Sequence, residues 1–403
     1  MLSSGVATGR PAQELKSALP EPTAPRDLRL DFFRGLSLIF IFIDHVPENV
    51  LTYFTLQATT FFDAAEVFIF ISGFTTALVF GRRLRSKGAL YATAGVLRRA
   101  WQLYIAHVFL FVLFIAEVSY TAATFNNPMY TEEMRVAAFL DEPYVAVAKA
   151  LMLEFQPAFL DILPLYIVML LIFPPVLLAM QRHWLLVLVP SAIVYLAVQI
   201  FDISVPAYPA GHVWFFNPLA WQLLFIGGAV LGDRTGRGQD FGRLLRLAYP
   251  VAAVLFAASF VVKLSWTLHG IVPAVPGLFL RELWPIDKNN LSPIRLLPFL
   301  ALVVLVAVHV PRDARFLTSA AARPLVLCGQ QSLELFCLGI LLSALGHFVL
   351  AEYNSAEVMQ LTVNLVGITA MFLTARTIAW YKAMDRAPLR QAAPAHRGDG
   401  GAS

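Results

Sequence analysis

Arg34 and His45 stand eleven residues apart in the apolar run Leu30-Asp-Phe-Phe-Arg-Gly-Leu-Ser-Leu-Ile-Phe-Ile-Phe-Ile-Asp-His45. On a helix, eleven steps of about 100° make three turns plus about 20°, so the two side chains fall on one face, roughly 16 Å apart along the axis. A guanidinium matches a phosphate or carboxylate with paired donors, and an imidazole is suited to taking a proton near neutrality. One helix face therefore offers an anion site at one end and a base at the other. Asp31 and Asp44 bracket the same run. A charge at the centre of a membrane helix costs on the order of 2.5–3.5 kcal/mol, which makes all four residues functional candidates. The plainer reading of the spacing is that Arg34 snorkels to the membrane surface and His45 caps a polar turn.

The next apolar run begins Phe61-Phe-Asp-Ala-Ala-Glu-Val-Phe-Ile-Phe-Ile-Ser-Gly-Phe74, with Asp63 and Glu66 one turn apart on one face. Both belong at about the depth of His45. A carboxylate accepting from one imidazole nitrogen would fix the tautomer and raise the basicity of the other; the alternative for Asp63 is a helix N-cap. Arg82, Arg83, Arg85, Lys87, Arg98 and Arg99 flank the connection to the third run, either as charge anchors at the membrane face or, taken together, as a holder for a polyanionic cofactor. His107 lies nine residues into that third run, open to a role with the cofactor or to that of a satisfied buried histidine. Glu154 and Asp161 recur seven residues apart, as do Pro157 and Pro164, so acids and kinks share one face of a helix expected to line a cavity. The stretch Asp287-Lys-Asn-Asn-Leu-Ser-Pro-Ile-Arg295 supplies the donors and acceptors of a sugar-binding mouth, through Asp287, Asn289 and Arg295, or is an ordinary polar loop that starts a helix.

The elements that must position these groups are membrane helices. The 403 residues are 58% hydrophobic and 14% charged, where a soluble domain is about 45–50% apolar and about 25% charged. Apolar segments recur at about 30–50, 61–80, 99–119, 157–179, 184–200, 215–232, 247–265, 294–311, 324–350 and 356–380, which predicts an all-α polytopic fold of about ten spans. With the N-terminus inside, the inner segments carry 23 Lys and Arg and the outer segments six, an asymmetry that places both termini in the cytoplasm. The Pro-rich residues 1–25 and the polar residues 386–403 are expected to be disordered cytoplasmic tails around a membrane domain over 26–385, with neither a signal peptide nor a span in the first 25. The net charge of +4 is dispersed in short clusters between apolar runs, a pattern of topology and not of nucleic-acid binding. Cys328 and Cys337, nine positions apart in one apolar run, fall on opposite faces and provide no disulfide framework.

The segments Leu30 to His45, Phe61 to Phe74, Arg98-Arg-Ala-Trp-Gln-Leu-Tyr-Ile-Ala-His107, Leu163-Pro-Leu-Tyr166, Asn217-Pro-Leu-Ala-Trp-Gln222, Asp287 to Leu297 and Gly329-Gln-Gln-Ser-Leu-Glu-Leu-Phe-Cys337 resemble the OpgC family, inner-membrane succinyltransferases acting on osmoregulated periplasmic glucans. The resemblance covers almost everything between Arg26 and Tyr381. The Arg34-to-His45 spacing and the Phe-Ile-Ser-Gly-Phe run ending at Phe74 also resemble the wider acyltransferase-3 group, in which this Arg and His are tied to acyl transfer.

The resemblance implies an acyl-CoA-dependent enzyme with no permanently bound cofactor. Succinyl-CoA would enter from the cytoplasm with its phosphates among Arg34, Arg82, Arg98 and Arg99 and its arm near His107. His45 would act as general base on a glucan hydroxyl, with Asp63 or Glu66 orienting the ring, and Asp44, Asp161, Asp287, Asn289 and Arg295 contacting the acceptor. The expected partners are the glucan acceptor, the acyl-CoA donor and membrane lipid, with a homo-oligomer open. Two other readings fit the same residues: a transporter or proton-coupled exporter, whose relays also use buried Arg, His and carboxylates, and an O-acetyltransferase for another envelope polysaccharide or lipid.

Overall fold

Long apolar runs without internal breakers leave the backbone no partner in lipid except itself, so they fold as helices. A computed structural model describes residues 26–47, 49–268 and 286–386. The two expected tails, apart from Arg386, and the outer-loop residues Arg281 and Trp284 lie outside these. The helices that matter here are α1 (Leu28–Asp44), α2 (Ala64–Phe125), α3 (Ile162–Arg182), α4 (Leu185–Phe201), α5 (Pro218–Gly236), α6 (Gly242–Thr267), α7 (Pro293–His309), α8 (Arg323–Gln330), α9 (Ser332–Glu352) and α10 (Glu357–Arg386). Among the described residues, β-structure is confined to an antiparallel ribbon of Pro206–Ala207 with His212–Val213 and a bridge between Phe155 and Tyr208. The protein is therefore all-α.

Every expected segment coincides with helix over most of its length. However, α3 starts only at Ile162, so Glu154, Pro157 and Asp161 precede it, and the helix face they were expected to share with Pro164 does not form. Two further differences concern continuity. The second and third segments form one helical run, α2, broken only at Gly88, where φ is +84°. A Cβ added at Gly95 would lie 2.9 Å from the Phe80 ring and 3.1 Å from the Arg83 guanidinium. The two halves of α2 therefore double back on each other around a single glycine, which takes a backbone angle other residues resist. The ninth segment is divided at Gln331 into α8 and α9, and Cys328 and Cys337, both free thiols, fall on either side of the break.

Five helices, α2, α3, α6, α9 and α10, are long and apolar enough to cross a membrane, and α4 and α7 are shorter apolar helices. Among the described residues these five helices hold six of the ten expected segments, because α2 carries two of them on either side of Gly88. Large apolar side chains such as Phe109, Val112, Ile193, Val251 and Leu365 are exposed on the outside of the bundle, as lipid contact requires.

Glycines set the close crossings. Cβ atoms added at Gly35 and Gly329 would stand 1.9 and 1.8 Å from the carbonyl oxygens of Leu325 and Asp31, so α1 and α8 touch backbone to backbone. The Gly228-Ala-Val-Leu-Gly232 stripe of α5 meets α2 in the same way, at 2.2 Å from the Phe70 oxygen and 2.1 Å from the Phe74 oxygen. Replacing Gly232 by Ala forces these helices apart and is expected to cost about 1–3 kcal/mol. Gly227→Ala on the same helix, whose Cβ would meet nothing within 4 Å, is expected to be neutral or slightly stabilising. Unfolding midpoints of the two variants in detergent check the contrast.

Candidate active site

The arginines expected to hold a polyanion converge on one cavity. It has a volume of about 850 Å³ and is lined by Arg26, Arg34, Arg82, Arg83, Arg98, Arg99 and Arg312, with Asp27 and Asp31 the only counter-charges among the described residues. The fold-back of α2 at Gly88 is what faces Arg82 and Arg83 toward Arg98 and Arg99. Arg34 reaches in from α1, with Nη2 donating to Thr75 Oγ1 at 2.6 Å and toward the Ile71 carbonyl at 3.4 Å. Tyr166 of α3 shares the wall, its hydroxyl 3.3 Å from Thr76 Oγ1. Arg85, from the same sequence cluster, is instead tied to the buried carboxylate of Asp233 at 2.8 Å. A concentration of guanidinium groups in a concave, partly apolar space suits a multiply phosphorylated ligand.

His45 lines a second cavity, of about 250 Å³, with Asp44, Asp63, Asp161, Arg135, Lys288 and the rings of Phe159, Phe215 and Phe336. The imidazole caps the C-terminus of α1: Nδ1 lies 2.5 Å from the Ile41 carbonyl oxygen, one turn back. A carbonyl can only accept, so Nδ1 carries the hydrogen and Nε2 carries the lone pair. Phe159 packs edge-on against the ring at 4.6 Å and holds φ at +70°. A bulky residue in the left-handed region is strained and persists only where its surroundings enforce it. The enforced conformation here places the Phe159 ring against the imidazole.

The expected orienting carboxylates have other partners. Asp63 and Glu66 form a reciprocal capping box at the start of α2, Asp63 accepting from the Ala65 backbone and Glu66 accepting from the Asp63 backbone. Their remaining oxygens face cations: Arg295 contacts Glu66 at 2.6 Å and Asp63 at 3.1 Å, and Lys288 reaches Asp63 at 2.6 Å. The N-cap alternative for Asp63 therefore holds, and the group that fixes the histidine tautomer is the Ile41 carbonyl. Arg295 is spent inside this ion cluster, where its side chain is 10% exposed.

Asp44 accepts from Thr55 at 2.7 Å, and Asp161 accepts from Arg135 at 3.1 Å through Oδ2. Asp161 Oδ1 is buried with no hydrogen-bond partner among the described residues, on the wall of the His45 cavity. The turn at Asp287 docks its backbone, with the Asn289 carbonyl accepting from Asn217 and Trp221 and the Asp287 carboxylate accepting from the Asn290 N–H. The residue this turn sends into the cavity is Lys288, which together with Arg135 and Phe159 was absent from the candidates of the sequence. For Lys288 a signal was present, since it lies inside the singled-out stretch, and Phe159 lies within the expected segment 157–179, two residues before Asp161; Arg135 sits in loop sequence with no periodicity. His107 is buried on α2, both ring nitrogens without a hydrogen-bond partner among the described residues, and lines neither cavity.

The two cavities are stacked along the same helices. Ala65 and Phe68 on α2, Ile162 and Tyr166 on α3, and Phe336 and Ser332 on α9 line the His45 cavity and the arginine cavity respectively. Three or four residues of helix are about 5–6 Å, so a septum about one turn thick separates them. Phe68 and Phe336, with ring centroids 6.2 Å apart, occupy that level. The plan deduced for α1, an anion site three turns from a base, thus becomes two chambers with an apolar partition.

An all-α membrane protein with a basic chamber backed onto a polar chamber that contains a tautomer-fixed histidine has the parts of a group-transfer site. The family described as OpgC protein matches the chain over residues 26–383, and the chain belongs to that family. No individual curated protein matches it significantly. Membership in the OpgC family makes the protein an acyltransferase of the membrane.

Proposed function

We propose that the protein is an O-succinyltransferase of the bacterial inner membrane, moving the succinyl group of cytoplasmic succinyl-CoA to a hydroxyl of a periplasmic glucan. The observation that carries this reading is the stacking of the arginine chamber on the His45 chamber, one helical turn apart. CoA phosphates suit the first chamber, and sugar hydroxyls suit the second, with its Asp44, Asp161, Arg135 and Lys288.

In the reaction, the acceptor hydroxyl oxygen attacks the thioester carbonyl as its proton passes to His45 Nε2. The C–O bond forms, the C–S bond breaks, and the proton leaves on the CoA sulfur, so His45 ends neutral as it began. Asp161 Oδ1, without a hydrogen-bond partner among the described residues, is the natural acceptor for a second hydroxyl of the same sugar. The Phe68–Phe336 septum keeps water of the basic chamber away from the base until a thioester arm displaces it.

Replacing Arg34, Arg82 or Arg98 by Gln is expected to raise the donor KM about tenfold to a hundredfold each, the loss typical of a charge-assisted hydrogen bond. The loss should be steeper with succinyl-CoA than with the truncated thioester succinyl-pantetheine, which lacks the nucleotide phosphates. The deciding experiment supplies purified protein with isotopically labelled succinyl-CoA and glucan and weighs the product. A gain of one succinyl unit supports the proposal; a gain of one acetyl unit, from acetyl-CoA only, makes the enzyme an acetyltransferase. Glucan crossing vesicle membranes without a mass change makes the protein an exporter.

A further inference from the structure

Beside the His45 cavity lies a third, also of about 250 Å³, and the two share the side chains of Arg135 and Phe215. Its walls come from loop segments at the end of the bundle opposite the arginine chamber: Glu132, Gln156, Tyr208 and His212, with Phe155 beneath. The Tyr208 backbone N–H donates to the Glu154 carbonyl at 2.9 Å, and the Tyr208 ring meets that of buried Phe155 edge-on at 5.7 Å. This fixes Tyr208 to the wall and leaves its ring half-exposed. Phe215 is half-buried at the junction of the two cavities, with the Arg135 guanidinium carbon 5.7 Å from its centroid. Arg135 holds φ at +53°, a strained angle for a residue with a side chain, and its Nη2 is bonded to Asp161 in the neighbouring cavity.

Two aromatic rings held rigid beside a carboxylate, an amide and an imidazole match one ligand chemistry well. The C–H faces of a pyranose ring lie on aromatic faces, and its equatorial hydroxyls bond to acids and amides. A purely apolar ligand would leave the hydrogen-bonding groups of Glu132 and His212 at the rim unused, and an anion would meet the Glu132 carboxylate. The distance between the cavities is that of one shared residue pair, as consecutive units of a sugar chain require. We propose that this third cavity is an acceptor subsite for the hexopyranose unit adjoining the one that is acylated, with Arg135 and Phe215 dividing the two units. The acceptor is thereby read as a chain and a lone sugar is disfavoured. This rests on the reading that the group acylated at His45 is a carbohydrate hydroxyl.

Binding of glucose, a gluco-disaccharide and a gluco-tetrasaccharide to the full-length protein in lipid nanodiscs, without donor, tests the subsite. Labelled succinyl transfer to the same sugars is followed in parallel. The disaccharide is expected to bind about twofold to tenfold more tightly than glucose, the scale of one aromatic contact. Tyr208→Ala should remove most of that advantage and Tyr208→Phe should keep it. Glu132→Gln, at an exposed rim position where folding is not at stake, should also reduce it. Equal affinity of the parent protein for glucose and the disaccharide, or an equal loss for both sugars in Tyr208→Ala and Glu132→Gln, overturns the subsite. A length advantage that responds to both variants, in a protein that transfers no acyl group to any sugar, upholds the subsite and overturns the acyl-transfer reading instead.

Discussion

His45→Ala is expected to lower the rate of acyl transfer about 10² to 10⁴-fold, the range supplied by one positioned general base. The donor KM should stay near that of the parent, because the arginine chamber lies beyond the septum and takes no wall from His45. The size of the effect follows from the hydrogen bond of Nδ1 to the Ile41 carbonyl, which leaves Nε2 as the basic nitrogen facing the cavity. Truncation also removes a ring packed against Phe159, so the unfolding midpoint in detergent must be recorded alongside the rate. Transfer of labelled succinyl groups at the parent rate by folded His45→Ala protein would falsify the assignment. Asp63→Asn offers the matching contrast. Its carboxylate serves Lys288, Arg295 and the helix cap, so it should act first on stability and only then on rate.

The largest effect on stability is expected from Arg295→Met. Glu66 is wholly buried and Asp63 nearly so, and Arg295 contacts both. Removing the cation leaves Glu66 without its ion-pair partner while Lys288 still reaches Asp63. Breaking a buried pair by deleting one member costs about 3–5 kcal/mol, because the remaining charge is desolvated and unpaired. The variant should therefore be recovered poorly from membranes and should lose its sharp size-exclusion peak. Adding Glu66→Gln to it should restore much of the loss, since a neutral amide no longer needs the cation. A stable Arg295→Met protein would show that the cluster contributes little to folding, and a double variant worse than the single would show that Glu66 serves the fold through its cap bond to Asp63 more than through Arg295.

Local rules carried much of the fold. The spacing of Arg34 and His45 depends only on helix periodicity, and the two do reach a cavity each from α1. Asp63 with Glu66 three residues later is a capping signature readable from sequence, and the capping alternative proved to describe it. The same logic applies to His45, which follows the last residue of α1 and returns its Nδ1–H to the carbonyl four residues before it. The arginine cluster was legible as a set, but its concavity was not, because that depends on one glycine, Gly88, turning α2 back upon itself. The Asp287 carboxylate bonds the turn's own backbone at Asn290, the Asn289 carbonyl docks the turn on Trp221, and Lys288 enters the cavity.

What the sequence by itself determined was every feature that repeats within a helical turn or follows from transfer into lipid: the all-α class, the apolar segments, the pairing of an anion site with a base along α1, and the caps. Those depend on neighbours a few residues away or on hydrophobicity, which is a property of the side chain alone. Tertiary structure decided which charges are spent and which face a ligand. Glu66 finds Arg295 across 229 residues, and Phe68 finds Phe336 between the two chambers. Such meetings depend on how helices cross, set here by backbone contacts at Gly35, Gly73, Gly228, Gly232 and Gly329, and the periodicity of one helix carries no information about the partner it will meet.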